Sequence, residues 1–549
     1  MHVARAKWPS KNGQTYESVY LRESFRENGK VHKRSIANLT HCPPAEVAAI
    51  ELALQYKDDL ASLGSLAEVG LQEGPSVGAV WALRETARRL GLDRALGNDR
   101  AGKLALWQVL ARVLEQGSRL SAVRLARVHA AREVLGLSAF DEDDLYENLA
   151  WLTDRQEAIE KKLFAMRRGD APPALFLYDV TSSYLEGEQN ELAAYGYNRD
   201  GKKNKKQIVI GLLADGAGEP VAVRVFQGNT PDTATVAEQV RTLMENFGVK
   251  EVTLVGDRGM LKGPQLEALP EGFRYITAIT KPQIRTLLFE GVLQLELFAE
   301  KVCEVEHEGA RYILKRNPKR AAEISQGREE RLTKLRELVT AQNTNLADHP
   351  RAKTETALKS AQAKARRLKL EGWTRIEAQG RVLSVSVDEE ALAQAAQLDG
   401  CYALKTDLAR EAADAGTVHA RYKDLARVEQ AFRTSKTGHL ELRPVYVRKE
   451  ASTRGHVLVV MLSYLMVREL RRAWAAFDLT VEEGLEQLKT LCTMTLSLNG
   501  RPGCLRLPQP RPESAKLLAA LDVRLPEALP LAGGNVDTRR KLPPHRRSR

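Results

Sequence analysis

The sequence of 549 residues has few cysteines, few aromatic residues and no long hydrophobic run. Its five cysteines are widely scattered and include no CxxC pair, so we predict neither a disulfide framework nor a zinc finger. The longest apolar run, residues 457–467, is interrupted by Ser463 and is much shorter than the roughly 20 residues of a membrane-spanning helix. Because the chain starts with polar and basic residues instead of an apolar signal segment, we expect a cytoplasmic protein without a membrane partner.

Positive charge, in contrast, is in excess. The 83 lysines and arginines outnumber the 71 aspartates and glutamates by 12, which favours a polyanionic partner without identifying it. The basic residues are concentrated in residues 199–206, 315–369 and 539–549. A solvated surface and a track for phosphate groups are both consistent with such segments.

The hydrophobic pattern changes several times along the chain. Short β-type runs alternate with turns at the start, a helical period follows, and strand-length apolar runs begin near residue 174 and return near residue 400. A highly charged helical tract interrupts them. The regions predicted are a small β-rich module (1–43), a helical region (44–170), an α/β core in two parts (171–280 and 400–498), an insertion domain of β strands and a basic helical tract (281–399), and a basic, proline-rich tail (499–549).

Two aspartates end predicted strands of the α/β core. Asp179 ends the run LFLYD, and Asp257 follows a second run in the segment VGDRG. Each aspartate alone is also consistent with a turn. Because nearby strands of one sheet can bring both carboxylates within reach of shared Mg²⁺, whose preferred ligands are oxygen atoms, the pair predicts a metal site that a third acid would complete.

A helix predicted over residues 422–437 supplies that acid. Plotted at about 100° per residue, four residues lie within about 60° on one face: Tyr422, Glu429, Arg433 and Lys436. An adjoining apolar stripe would pack this helix on the sheet. The alternative is a solvated face on which Glu429 and Arg433 form an ordinary ion pair.

Four other ionisable residues near the end of the core are alternatives for the site. Asp399 and Asp407 flank the strand predicted near residues 400–406 and are the main rivals to Glu429, but neither lies on a helix with basic partners. His439 and His456 are interpreted as structural hydrogen-bonding residues, with metal ligation as the alternative.

At these residues the sequence resembles a known family. Asp179, Asp257 and Glu429, the last within Tyr422-x6-Glu429-x6-Lys436, resemble the DDE triad and YREK signature of bacterial insertion-sequence transposases. Supporting motifs occur in the same order along the chain: YDVTS at 178–182, GDRGM at 256–260, DGxYxLxT at 399–406, VExxFRxxK at 428–436 and RPV at 443–445.

One position departs from the family pattern. The arginine expected between the tyrosine and the glutamate falls at position 425, which is Leu425. Arg427 and Arg433 are the candidates to replace it functionally.

The resemblance implies an α/β fold: a ribonuclease-H-like mixed-sheet core with an inserted domain, preceded by a small β module and a helical domain. It also implies a transposase that binds the ends of its mobile element, cleaves DNA phosphodiester bonds and joins the 3′ ends to target DNA. Asp179, Asp257 and Glu429 would be its catalytic residues and the ligands of two Mg²⁺ ions, for which Mn²⁺ is a substitute. The implied partners are double-stranded DNA and, when DNA is bound, a second copy of the chain, and the implied location is the nucleoid.

Residues around the triad are the predicted DNA contacts, with Tyr422, Arg433 and Lys436 on the scissile strand. A second set of predicted contacts joins the first two strands of the core: Lys202, Lys203, Lys205 and Lys206. For these lysines a solvated loop is an equal alternative. By analogy with the family, residues 1–170 would recognise the element ends. Trp373 in the insertion is a candidate for stacking on a base, with a packed position in the protein as the alternative.

Two other functions are consistent with the same residues. One is a catalytically inactive DNA-binding protein derived from a transposase, and the other is a nuclease without strand transfer. Retention of all three acids favours an active enzyme over the first alternative. Strand transfer and simple cleavage require the same core, so the sequence does not separate them.

Overall fold

The computed structural model describes residues 1–9, 15–27, 29–58, 69–167, 173–498 and 501–529. The chain divides into two compact units, one of Met1–Glu85, Arg124–Ala139 and Ala473–Arg549 and the other of Thr86–Val123 and Phe140–Arg472. In the described ranges, no helix has the length and apolarity to cross a membrane. The basic segment predicted at residues 539–549 lies outside the described residues.

The first unit contains two antiparallel sheets. Three strands form the first sheet in sequence order: β1 (His2–Pro9), β2 (Thr15–Glu27) and β3 (Lys30–Asn38). Helix α1 (Pro44–Gln55) packs on it through a small core of Val19, Leu39 and Val47. The second sheet has the order β17-β16-β15-β4, with bounds β4 (Val69–Ser76), β15 (Cys492–Leu498), β16 (Arg501–Arg506) and β17 (Ala528–Leu529).

Five of the remaining helices have at least half of their residues in this unit. Their bounds are α2 (Gly78–Arg89), α5 (Arg119–Val128), α6 (Ala131–Leu135), α17 (Val481–Lys489) and α18 (Pro512–Ala520). Strand β4 was not predicted in the helical region, and β16, α18 and β17 were not predicted in the tail. The segment of β4, VGLQEGPS, contains two glycines and a proline, which disfavour strands, and its partner β15 is remote in sequence.

The second unit is built on an eight-stranded mixed sheet with the order β10-β11-β14-β9-β8-β5-β6-β7. Its strands are β5 (Leu175–Tyr184), β6 (Gln207–Asp215), β7 (Pro220–Phe226), β8 (Val252–Gly256), β9 (Phe273–Ala278), β10 (Cys303–His307), β11 (Ala310–Arg316) and β14 (Cys401–Thr406). Strands β5 to β7 pair antiparallel, whereas β8 runs parallel to both β5 and β9. Five adjacent strands of the sheet, in the order β9-β8-β5-β6-β7, have the arrangement of a ribonuclease-H-like core. This arrangement confirms the predicted fold class.

Helices surround this sheet. Their bounds are α3 (Leu92–Leu96), α4 (Arg100–Leu114), α7 (Glu142–Arg167), α8 (Asp232–Arg241), α9 (Gly263–Glu267), α10 (Lys281–Phe289), α14 (Ala415–Lys423), α15 (Leu425–Lys436) and α16 (Glu450–Ala473). A π-helical turn, Thr242–Asn246, extends α8, and a 3-10 turn covers Leu295–Leu297. Gly455 in α16 contacts the Leu149 carbonyl of α7 so closely that a side chain there would clash, so the glycine permits this packing.

The insertion has a small core of its own. It consists of α11 (Pro318–Asp348), α12 (Thr354–Arg367), the hairpin β12 (Thr374–Gln379) and β13 (Val382–Val387), and α13 (Glu389–Ala396). Trp373 is buried there with Leu335, Ala365 and Leu370, so the structure supports its packed alternative and not base stacking. The β-type run predicted near residues 310–314 is β11, which pairs with β14 of the large sheet. The predicted division of the chain into regions stays a prediction.

Candidate active site

Two neighbouring strands bring the predicted aspartates together. Asp179 lies within β5, and Asp257 directly follows β8. In the parallel register of these strands Tyr178 is opposite Gly256, so the two aspartates occupy the next positions along adjacent strands. Neighbouring strands lie about 4.8 Å apart, which places both carboxylates at the same part of the sheet.

Helix α15 brings Glu429 to the same place. The helix packs against β5 and buries Leu425, Val428 and Phe432, as its apolar stripe predicted. Glu429 is exposed beside this stripe. Its charge acts on Asp179, so the three predicted acids are electrostatic neighbours in this structure.

The Asp179 carboxyl is the most perturbed of these acids. Burial, together with the charges of Asp257 and Glu429, raises its pKa to about 7, whereas a hydrogen bond from the Val180 amide and the charge of Arg199 oppose the shift. The Val180 nitrogen donates to the Asp179 Oδ1 over 2.7 Å. Accumulated negative charge with little compensation is typical of functional sites.

Tyr422 also reaches this site, although from a different helix than predicted. The predicted single helix over residues 422–437 is divided at Asp424 into α14, which ends at Lys423, and α15, which begins at Leu425. Tyr422 and Glu429 therefore do not share one helix face. The Tyr422 hydroxyl nevertheless donates to Asp257 Oδ1 over 3.2 Å, and burial together with this carboxylate raises the tyrosine pKa.

Lys436 does not face solvent as a DNA contact would. It is buried, and its ammonium group lies 2.9 Å from Thr181 Oγ1 and 2.8 Å from Asp200 Oδ1. Arg443 pairs with the same Asp200 oxygen at 2.6 Å, and the Asp200 side chain is inaccessible. Lys436 differs from the prediction because its ammonium group is bound by the buried carboxylate of Asp200, at the start of the basic loop of residues 199–206.

The arginines near Glu429 differ in their surroundings. Arg433 is exposed, as a DNA contact requires. Arg427 pairs with Asp424 at 3.2 Å and donates to the Gly216 carbonyl. Leu425, at the position of the family arginine, is buried in the packing of α15. Both candidates for that arginine's role are exposed, and they differ in that Arg427 is already paired with Asp424.

The basic loop before β6 is accessible. Lys202, Lys203 and Lys206 are exposed, and Lys205 forms a surface pair with Glu186 at 3.0 Å. The Lys202 ammonium group lies 5.7 Å from the centre of the Tyr184 ring at the end of β5. Both a solvated loop and a phosphate contact stay consistent with this arrangement.

Sequence reasoning missed two residues at the start of this loop. The Arg199 Nη2 atom donates to both carboxylate oxygens of Asp232, over 2.6 and 2.5 Å. The charge of Arg199 also lowers the pKa of Asp179. Asp200 is the buried partner of Lys436 and Arg443. Their only signal in the sequence was the RDG segment before the lysines, since their partners are remote in the chain.

The rival acids and the histidines have structural partners. Asp399 is buried and pairs with Arg328 at 2.7 Å, whereas Asp407 accepts the Tyr275 amide at 2.9 Å. His439 lies 2.7 Å from the Val113 carbonyl oxygen, and His456 lies 2.8 Å from the guanidinium of Arg119. None of the four therefore replaces Glu429 beside the two aspartates.

The donor chemistry of the triad suits a hard divalent cation, because all three side chains offer carboxylate oxygens. A cation would also relieve the charge repulsion that raises the pKa of Asp179. Across the described ranges, however, no group of three or more histidine, cysteine, aspartate or glutamate side chains is arranged to hold a metal ion.

Comparison with known proteins identifies the class. The family model described as "Transposase DDE domain" matches residues 170–466, which is more than half of the chain. The model described as "IS1634 family transposase, N-terminal domain" matches residues 6–68. The chain therefore belongs to the DDE transposases of insertion sequences, as its motifs predicted.

The other comparisons add little. No curated protein matches the chain. A solved structure described as the cryo-EM structure of a piggyBac transposase synaptic complex with hairpin DNA matches with a TM-score of 0.35 and 9% identity over 75% of each chain. This similarity is too low to bear on the function.

Proposed function

We propose that this protein is an active, divalent-metal-dependent DDE transposase that binds the ends of its element, cleaves DNA there and joins the 3′ ends to target DNA. The observation that carries the proposal is the proximity of Asp179, Asp257 and Glu429, whose charges add to the effect of burial in raising the pKa of Asp179. Membership of the family supports it. The partners are double-stranded DNA and, on DNA, a second copy of the chain that pairs two element ends.

Each acid has a proposed role. Asp179, between the other two, would hold both Mg²⁺ ions, Asp257 one of them and Glu429 the other; Mn²⁺ has the same ligand preference. When bound, such a pair of ions activates the attacking oxygen and stabilises charge on the leaving oxygen of a phosphodiester. The Tyr422 hydroxyl, through its hydrogen bond, orients the Asp257 carboxylate.

The surrounding basic residues divide into two roles. Arg433 and the exposed lysines Lys202, Lys203 and Lys206 would contact DNA phosphates. Lys436 instead positions α15, because its ammonium group is bound to Asp200 and Thr181. Residues 1–170 are the proposed region for recognition of the element ends, and the family match at residues 6–68 supports this assignment.

The test combines purified protein with a labelled duplex of the DNA that flanks its gene and a supercoiled target, in Mg²⁺ or in EDTA. We expect joined products in Mg²⁺ only, and none from the Asp257→Asn variant. Asp407→Asn is the matched control, because Asp407 lies outside the triad and accepts a backbone amide; this variant should join ends like the wild type.

Three other results would redirect the proposal. Binding to the ends without cleavage would support the inactive DNA-binding protein. Cleavage without joining would support the nuclease. Cleavage or joining that survives Asp257→Asn would contradict the assignment of the site itself.

A further inference from the structure

The larger unit contains a cavity of about 490 Å³ whose wall includes two buried arginines. Arg112 in α4 and Arg119 at the start of α5 are only 7% and 5% exposed. The charge of Glu441 acts on Arg112, but the hydrogen-bond partners of both arginines among the described residues are neutral. Tyr146, Tyr446 and His456 line the same cavity. Two positive charges are thus withdrawn from water without a hydrogen-bonded carboxylate from the described part of the chain.

The hydrogen bonds of these arginines go to neutral groups. Arg119 donates to Gln108 Oε1 over 2.6 Å and lies 2.8 Å from His456 Nδ1. Arg112 donates to the Gly117 carbonyl over 2.8 Å, and its Nε atom is buried with no partner among the described residues. Burying a charge is costly unless a counter-charge accompanies it. An anion in the cavity would therefore supply a counter-charge to both guanidinium groups and a hydrogen-bond acceptor for the Arg112 Nε atom.

The electrostatics of the wall agree with this reading. Burial lowers the pKa of both arginines, that of Arg119 to about 9, and lowers that of His456 far enough to keep the imidazole neutral. Glu441 is the one acid among the described lining residues; it is exposed, and its charge opposes only in part the effect of burial on the pKa of Arg112. Ser118 lines the cavity directly before α5, whose amino end favours anions.

The cavity also has an aromatic rim. Tyr446 is 70% exposed and Tyr146 is 38% exposed, so their rings are accessible to a ligand. Aromatic faces next to arginines are the combination that binds a nucleotide, with stacking for the base and charge-assisted hydrogen bonds for the phosphate.

We propose that this cavity binds a nucleotide, with its phosphate group on Arg112 and Arg119 and its base against Tyr146 and Tyr446. The nucleotide belongs either to a DNA strand or to a free nucleoside phosphate, since the recognised chemistry is the same. The inference rests on the charges of the cavity and does not use the three acids.

The test is isothermal titration of the full chain in EDTA with three probes: thymidine, thymidine 5′-monophosphate and a ten-nucleotide oligothymidylate. We expect the monophosphate to bind at least tenfold more tightly than thymidine. Tighter binding of the oligothymidylate than of the monophosphate would identify a DNA strand as the source, and equal binding a free nucleotide. Failure of both phosphate-bearing probes to bind would overturn the proposal.

Matched variants locate the binding. Arg112→Gln and Arg119→Gln should each weaken monophosphate binding at least tenfold, whereas Arg336→Gln, at an exposed position of α11, should not change it. Tyr446→Ala should weaken the monophosphate about threefold and leave inorganic phosphate unaffected, and Phe289→Ala, which removes a 93% exposed ring, is its control.

Thermal melting followed by circular dichroism shows which variants fold. If Arg119→Gln does not fold, Arg112→Gln and Tyr446→Ala decide, because Tyr446 is largely exposed. Unchanged affinity in both would overturn the proposal.

Nucleotide binding in the cavity and DNA cleavage at the three acids can be tested independently. Asp257→Asn should bind the monophosphate like the wild type. Arginine-dependent binding by a protein that never cleaves DNA would support the cavity and contradict only the proposed catalysis. Normal cleavage by arginine variants that bind the monophosphate normally would contradict only the cavity.

Discussion

Two groups of charged residues beside strand β5 differ in how far their charges are balanced. At Asp200, one buried acid is paired with the cations of Lys436 and Arg443 at 2.8 and 2.6 Å. At Asp179, burial and two further acids raise the carboxyl pKa to about 7, against the Val180 hydrogen bond and the charge of Arg199. The first group is neutralised within the protein, and for the second we propose a cation from outside. This contrast separates a structural ion cluster from a candidate catalytic site.

The largest effect should follow from removing the central acid. Asp179→Asn should reduce DNA cleavage by more than about a hundredfold, since loss of even an outer-shell partner of a metal ligand costs 10- to 100-fold. The same change should stabilise the metal-free protein above pH 7. Cleavage assays and urea unfolding at pH 8 test both effects, and a variant that loses activity and stability together would contradict the contrast.

The paired cluster should respond in the opposite way. Asp200→Asn leaves Lys436 and Arg443 buried without their counter-charge, so we expect the free energy of unfolding to fall by about 3–5 kcal/mol. Urea unfolding at pH 7 measures it. Glu186→Gln is the control, because it breaks only the surface pair with Lys205 and should change stability by less than about 1 kcal/mol. Equal effects of the two variants would show that Asp200 has no special role.

The pH dependence of stability sharpens the comparison. The folded-state pKa of Asp179, about 7, exceeds the unfolded value of 3.8, so the folded state binds the extra proton between these values. Stability from this residue is therefore lost as pH rises from about 4 to 7, by about 1–4 kcal/mol. The stabilities of wild type and Asp179→Asn should differ by an amount that grows between about pH 4 and pH 7 and is constant above pH 7. A difference that did not change over this range would contradict the perturbed pKa.

A divalent cation should offset this loss. Mg²⁺ or Mn²⁺ should raise the melting temperature of the wild type more at pH 8 than at pH 6, because a ligand carboxyl must lose its proton. Differential scanning fluorimetry with and without EDTA measures the shift. Asp257→Asn should show a much smaller shift, and a shift of equal size would place the cation elsewhere.

The smallest effect is expected at Tyr422. Tyr422→Phe removes the hydroxyl that donates to Asp257 and should lower cleavage about tenfold while changing stability by about 1 kcal/mol. Cleavage rates across Mg²⁺ concentrations test it, with Tyr195→Phe, at an exposed tyrosine, as control. An unchanged rate would remove Tyr422 from the site.

The acid positions could be predicted because they depend on local pattern. Asp179 and Asp257 each follow a short apolar run, and Glu429 borders an apolar helix stripe, so each position can be predicted from the few residues around it. The helix division at Asp424 could not, because the heptad-like spacing of Tyr422 and Glu429 also fits one continuous helix. A helical wheel assumes continuity and does not test it.

Contacts between segments that are remote in the sequence could not be predicted either. The burial of Lys436 depends on its ion pair with Asp200, which belongs to a loop far earlier in the chain. Pairing of β4 with β15 likewise joins segments near opposite ends of the sequence. Neither leaves a periodic pattern, because each depends on how distant segments meet.

The identity of the third acid tests the account most directly. Cleavage of an element-end duplex in Mg²⁺ should be measured for Glu429→Gln beside Asp399→Asn and Asp407→Asn. We predict that only Glu429→Gln abolishes cleavage among these variants when they are folded, because Glu429 is the one of these three acids whose charge is among the causes that shift the Asp179 pKa. Full activity of Glu429→Gln would contradict it.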